Sequence, residues 1–224
     1  MQNNKLYKFG GTCAILAGIS ISLTGIAYLI MPVEQQTWRD PGQYLSSFAQ
    51  NPLPATIEYF AQAFGAIFAL AMVIAVSEKV RPMAEGWVRW TGTLAIIANA
   101  VLAVQYFRET ALGPARAAAY VASDAATRAA IAANQYLMLL DPIGWVTYGS
   151  LGLWFLVINV LAIRSRVWPR ALGYVGVAGG VSYWLLVAGM LFQSQALIAV
   201  AAAAGIIAAP IWCTWIGLRM SRWI

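Results

Sequence analysis

Histidine is absent from all 224 residues. With it go the commonest general base, the usual imidazole ligand for zinc and copper, and the proximal ligand of many haems. Charge is almost as scarce. Lysine, arginine, aspartate and glutamate together make up 10% of the chain, where a soluble domain carries roughly 25%. So few charges could not cover a water-facing surface. Cysteine occurs only at Cys13 and Cys213, two isolated thiols inside apolar runs. They give neither metal-ligand spacing nor a secreted disulfide framework, and read as small buried hydrophobes. The three aspartates, Asp40, Asp124 and Asp141, all lie away from span centres, which excludes a paired-aspartate intramembrane protease. The serines have no His or Lys base in a plausible position, and no Gly-rich phosphate loop occurs. No catalytic residue, metal site or cofactor is therefore expected, and the chain points away from an enzyme.

What the chain has instead is apolar length. Hydrophobic residues make up 61% and mean hydropathy is +0.70. A hydrocarbon core of roughly 30 Å needs about 20 helical residues. Six runs meet or approach that: Phe9–Met31, Ile57–Val76, Trp87–Phe107, Pro142–Ile163, Ala171–Phe192 and Ala196–Leu218. Helices are required because lipid offers no partner for free backbone groups, and the alternation of a membrane barrel is missing. The expected fold is all-α: one domain over residues 1–224, a polytopic bundle of six transmembrane helices with extracytoplasmic helical segments. The first run follows Lys5 and Lys8 as a signal peptide would. It is too long, however, and closes without a small-x-small cleavage site, so it reads as a retained helix.

The basic residues set an orientation. With the N-terminus inside, ten of them face the cytoplasm: Lys5, Lys8, Lys79, Arg81, Arg89, Arg164, Arg166, Arg170, Arg219 and Arg222. Arg39, Arg108, Arg116 and Arg128 face outward, with six of the eight acids. This bias predicts cytoplasmic N- and C-termini. Because the net charge of +6 is split among short clusters and no one element carries a basic stripe with interleaved aromatics, nucleic acid is not an expected partner. Trp38, Trp87, Trp90, Trp145, Trp168, Trp215 and Trp223 lie near span ends, as amphipathic rings should, while Trp154, Trp184 and Trp212 lie deeper.

Small residues mark the contact faces. Gly11, Gly18 and Gly25 recur every seventh position, with Ala14 beside them. Gly173, Gly176 and Gly180 follow helical spacing in the fifth span, and Pro210 should kink the sixth. Arg89-Trp90-Thr91-Gly92 and Arg170-Ala171-Leu172-Gly173 hint at repeated hairpins. Two outer connections are long. In Pro32–Thr56, the stretch Gly42–Ala49 predicts a short helix lying on the membrane with Tyr44, Leu45 and Phe48 facing down. In Arg108–Asp141, Pro114 should open one helix and Ser123 cap a second, with Asp124 and Arg128 paired one turn apart. Asp141-Pro142 reads as N-cap and first turn of the fourth span.

Polar groups gather toward the outer half: Glu58, Gln62, Asn99, Gln105, Arg108, Glu109 and Asp141, with Tyr106, Asn134 and Gln135 among them. At membrane depth such groups are costly and often functional, so the first seven form the candidate binding site. Each has a plainer reading. Glu58 complements a helix dipole, Asp141 is a cap, and Arg108 and Glu109 sit at the interface. Asn99 is the hardest to dismiss; it should face the interior within reach of a polar group on another helix.

The string LVINVLAIRSRVWPRALGYVGVAGGVSYWLL over Leu156–Leu186, with its basic Arg164-Ser165-Arg166-Val167-Trp168-Pro169-Arg170 link, resembles a bacterial family of six-helix membrane proteins known only as a domain of unknown function. QYLSSFAQNP before the second span and the closing WIGLRM are similar in kind. The resemblance implies the fold and a place in the bacterial cytoplasmic (inner) membrane, and brings no catalytic residues. The sequence thus supports a non-catalytic membrane protein that binds lipid-like molecules or serves as an accessory subunit in a larger membrane assembly. Its expected partners are membrane lipids and other membrane-protein subunits. The alternative is a small transporter or receptor built on the outer polar cluster.

Overall fold

The computed structural model of the chain describes residues 2–36, 40–134 and 140–223. Trp38, Arg39 and Gln135 lie outside the described residues. Among these, nine α-helices and no strand occur: α1 (Gln2–Ile30), α2 (Val33–Gln36), α3 (Pro41–Gln50), α4 (Leu53–Val80), α5 (Glu85–Ala122), α6 (Ala125–Ala133), α7 (Ser150–Ser165), α8 (Arg170–Leu191) and α9 (Gln195–Met220). A 3-10 turn, Arg81–Met83, follows α4, and a π-helical turn, Trp145–Gly149, leads into α7. Six helical segments are long and apolar enough to cross a bilayer: Asn4–Ile30, Leu53–Met83, Glu85–Ala122, Trp145–Ser165, Arg170–Leu191 and Gln195–Met220. They match the six predicted spans one for one.

The six spans stand in a ring. Each packs on its neighbours in chain order, α1 on α4, α4 on α5, α5 on α7, α7 on α8 and α8 on α9, and α9 closes back on α1. Small residues make these approaches possible. Gly11, Gly18 and Gly25 all face α9: a Cβ on Gly11 would stand 2.9 Å from the Gly217 carbonyl oxygen, one on Gly18 would meet Thr214 and Pro210, and one on Gly25 would meet Ile206. Gly217 returns the contact against the Gly11 carbonyl at 2.7 Å. Gly180 and Gly152 do the same between α8 and α7, each Cβ position 3.0 Å from the other's carbonyl oxygen. The two Arg-x-x-Gly motifs have equivalent places, since Gly92 abuts Ser77 of the preceding helix and Gly173 abuts Ile163. Outside the ring, Phe9, Leu23, Phe64, Ile67, Val104, Val200 and Ile207 are exposed. Such a belt is a liability in water and the natural surface toward lipid.

The end of the ring carrying α3 and α6 differs from expectation in four ways. First, α5 continues well beyond Phe107. Its 38 residues span about 57 Å at roughly 1.5 Å each, almost twice a hydrocarbon core, so the last turns stand clear of it. Pro114 lies inside this helix rather than at the start of a new one. Second, the predicted surface helix exists as α3, but Leu45 and Phe48 are buried against protein: Phe48 stacks on Tyr59, and Gly113 of α5 sits against it. Third, the N-cap of α6 is Asp124 and not Ser123, accepting from the Thr127 N–H at 2.8 Å. Arg128 donates instead to the carbonyls of Tyr120 and Val121. Fourth, the fourth span begins at Trp145, after Gly144 takes the left-handed conformation at φ 80°. Asp141 caps that irregular turn from a distance, accepting from both the backbone N–H and the hydroxyl of Thr147. Pro210 lies within one continuous helix, α9.

Candidate functional site

On α4, Glu58, Gln62, Gly65, Ala66, Ala69, Met72 and Val73 recur at helical spacing and share one face, which points to the centre of the ring. Ala17, Ile21, Thr24 and Tyr28 form the equivalent stripe on α1. With residues from α5, α7, α8 and α9 they enclose a cavity of about 270 Å³ to which all six spans contribute.

The cavity is polarised along its length. Toward the α3 end lie Tyr28, Gln36, Glu58, Gln62 and Gln195, and deeper positions are Ala69, Met72, Val73, Leu151, Ala209 and Cys213. An aromatic cluster closes the far end. Trp154, Phe155 and Trp212 pack at centroid distances of 5.1, 5.9 and 4.7 Å. Both indoles are fully buried and both N–H groups are used: Trp154 donates to Ser77 Oγ at 3.0 Å and Trp212 to Asn159 Oδ1 at 2.8 Å. One side wall carries tyrosines. The hydroxyls of Tyr106 and Tyr148 are 3.2 Å apart, and Tyr148 stacks on Tyr183 at 6.0 Å. Among the described residues, Glu58 is the one carboxylate on the wall, and no lysine or arginine shares it.

Of the seven candidate residues, the structure brings three together on this cavity: Glu58, Gln62 and Asn99. Asn99 is buried and turned inward as expected, but its Nδ2 donates to the Ala95 carbonyl of its own helix at 2.8 Å rather than to another helix. The remaining four lie elsewhere. Arg108 and Glu109 belong to an ion cluster on the extension of α5. The buried Glu109 carboxylate accepts from Arg108 at 2.7 Å and from Arg116 at 3.0 Å. Asp141 caps the π-helical turn. Buried Gln105 accepts from the Leu140 N–H at 3.4 Å, and its Nε2 has no partner among the described residues. On α3, the phenol of Tyr44 bonds to Tyr59 and is pushed well above its ordinary pKa by burial.

Several wall residues escaped the sequence reading: Tyr28, Tyr148, Ser182, Tyr183 and Gln195. The helical stripes of α1 and α4 were visible in principle, since small and polar residues recur there every third or fourth position. Asn159 was read only as part of the family-like string, although it makes the buried bond between α7 and α9. Among the described residues, no group of three His, Cys, Asp or Glu side chains could hold a metal ion.

Six apolar helices in a closed ring, a belt of exposed aliphatic side chains and a cavity open to all six spans define a multi-pass α-helical membrane protein. The chain belongs to the family described as Domain of unknown function (DUF4386), which matches residues 12–218. No curated protein and no solved structure matches it.

Proposed function

We propose that the protein binds amphiphilic, lipid-like molecules in the central cavity of the ring. The observation that carries this reading is the polarity gradient of the cavity: amides, hydroxyls and a carboxylate near one end, aliphatic and aromatic groups beyond. Binding sites for small molecules are typically apolar concavities with a few placed polar groups, and an amphiphile in a bilayer has the matching division. The reading as an accessory subunit has less support, because the glycine contact faces are occupied within the ring. Transport is favoured by one feature. The fourth span opens with left-handed Gly144 and a π-helical turn, and Tyr148 of that turn reaches the cavity wall; interrupted helices recur at transporter binding sites.

Gly205 offers a direct test. It lines the cavity, and a Cβ there would have only Ser182 Oγ within reach, at 3.5 Å, so Gly205→Leu fills the space without displacing backbone. Mass spectrometry of molecules that copurify with the wild-type protein should show a retained amphiphile that Gly205→Leu loses. An unchanged complement in the folded variant would refute cavity binding. The proposed setting is the bacterial cytoplasmic membrane with α3 and α6 outside. Periplasm-dependent reporter enzymes should then be active when fused within 192–194 and inactive when fused within 166–169; the opposite pattern would invert the assignment.

A further inference from the structure

Acids on this molecule are generally answered by the protein itself. Glu78, Glu85 and Glu109 pair with arginines, and Asp40, Asp124 and Asp141 accept hydrogen bonds from backbone N–H groups at caps. Glu58 differs. Among the described residues, no ion pair or hydrogen bond to it occurs and no basic residue lines its cavity. It lies in the second turn of α4, past the first turn where helix dipoles act most strongly. Tyr28, Tyr106 and Tyr148 share its cavity wall. A carboxylate without a partner in a cavity lined by aromatic rings is suited to a cation, which the charge attracts and the rings favour. At membrane depth a lone acid is costly unless something pairs with it.

We propose that Glu58 anchors the positively charged head of an amphiphilic amine or quaternary ammonium whose apolar part fills the deeper cavity between Met72, Leu151 and Ala209. The inference rests on the cavity-binding reading and narrows it to one class of head group. Neutral polar ligands would leave the carboxylate unanswered, and anionic ones would oppose it.

The experiment is a head-group series at constant chain length. Purified full-length protein in neutral micelles is titrated with dodecyltrimethylammonium, dodecanol and dodecyl sulfate, and bound amphiphile is read by native mass spectrometry. Glu58→Gln and Glu58→Asp are run alongside the wild type. The ammonium should bind the wild type about ten- to a hundredfold more tightly than dodecanol, the range expected for a close charge pair shielded from water. Glu58→Gln should abolish that preference, and Glu58→Asp should keep part of it. Equal binding of dodecanol and the ammonium to the wild type would overturn this inference while leaving cavity binding intact, as would any preference for the sulfate. An ammonium preference that survives in Glu58→Gln would also overturn it. Binding of none of the three would overturn both. Because the wild-type series decides the matter without a variant, poor folding of Glu58→Gln would not protect the proposal.

Discussion

Asn99 and Asn159 both donate Nδ2 to the carbonyl one turn back in their own helices, each at 2.8 Å. Only Asn159 also works across a helix boundary, accepting the Trp212 indole N–H at 2.8 Å while fully buried. Its amide is held further by Gly176, where any Cβ would fall 2.1 Å from Asn159 Nδ2. Substitution should separate the two roles. Asn159→Leu strands a buried indole donor and should lower stability by about 1–3 kcal/mol. Asn99→Leu, which breaks a bond inside one helix, should cost less than the roughly 0.6 kcal/mol average for a polar contact between membrane helices. Thermal melts of the size-exclusion peak in detergent would show the difference. This contrast also marks how far single residues could be read in advance. An asparagine within an apolar run announces itself, and the inward direction of Asn99 followed from that. Which asparagine carries an interhelical bond depended on Trp212, 53 residues further along, and no local pattern links the two. Glu58 and Gln62 were legible as a pair one turn apart. Arg108 and Glu109 belong to an ion cluster because α5 runs on beyond the membrane, a fact no single position reveals, whereas Asp141 is a cap and Gln105 bonds to Leu140.

At the scale of elements, the extension of α5 organises the α3 end of the molecule. The expected boundary near Phe107 was drawn from hydropathy, which falls there, whereas helical hydrogen bonding is indifferent to the change. Alanine-rich sequence keeps the helix going through Pro114, whose ring denies it only one backbone bond. The Glu109 cluster then fixes this segment. Breaking a buried ion pair costs roughly 3–5 kcal/mol, and Arg108 is 35% exposed, so Glu109→Gln should fall toward the low end of that range. Faster amide exchange in α3 and in α5 beyond Phe107, with the membrane portions unchanged, would identify the loss as local. Asp124 gives a pH signature. The Thr127 N–H it accepts holds its carboxyl below the ordinary aspartate value. A lowered folded-state pKa means the cap stabilises α6 fully above the unfolded value near about 3.9 and loses that effect as pH falls through the folded value. Protection of α6 amides should thus be flat from neutral pH down to about 5 and decline below about 4, and Asp124→Ala should remove the step.

On the whole molecule, the number of spans and their alternation were legible because lipid demands long, uncharged, self-satisfied helices. Closure of the ring was not. Glycine spacing in the first span declared a contact face without naming the partner, and that partner proved to be the last span. Gly217→Ala should test the closure, since its Cβ would press on the Gly11 carbonyl, a group unable to move without its helix. A loss of about 1–3 kcal/mol is expected from such overpacking. Retained amphiphile should disappear along with it, measured in the same preparation by melting and by mass spectrometry. A variant that melts early yet keeps its ligand would show that the cavity does not need the seam. The seam also imposes an order on biogenesis. A ribosome makes α1 before α9, so the contact of Gly11, Gly18 and Gly25 with α9 has to wait for the sixth span. The enclosed space comes into being in a single late event, when the sixth span slides in beside the first. Until then the glycine face of α1 lacks the partner against which it is shaped.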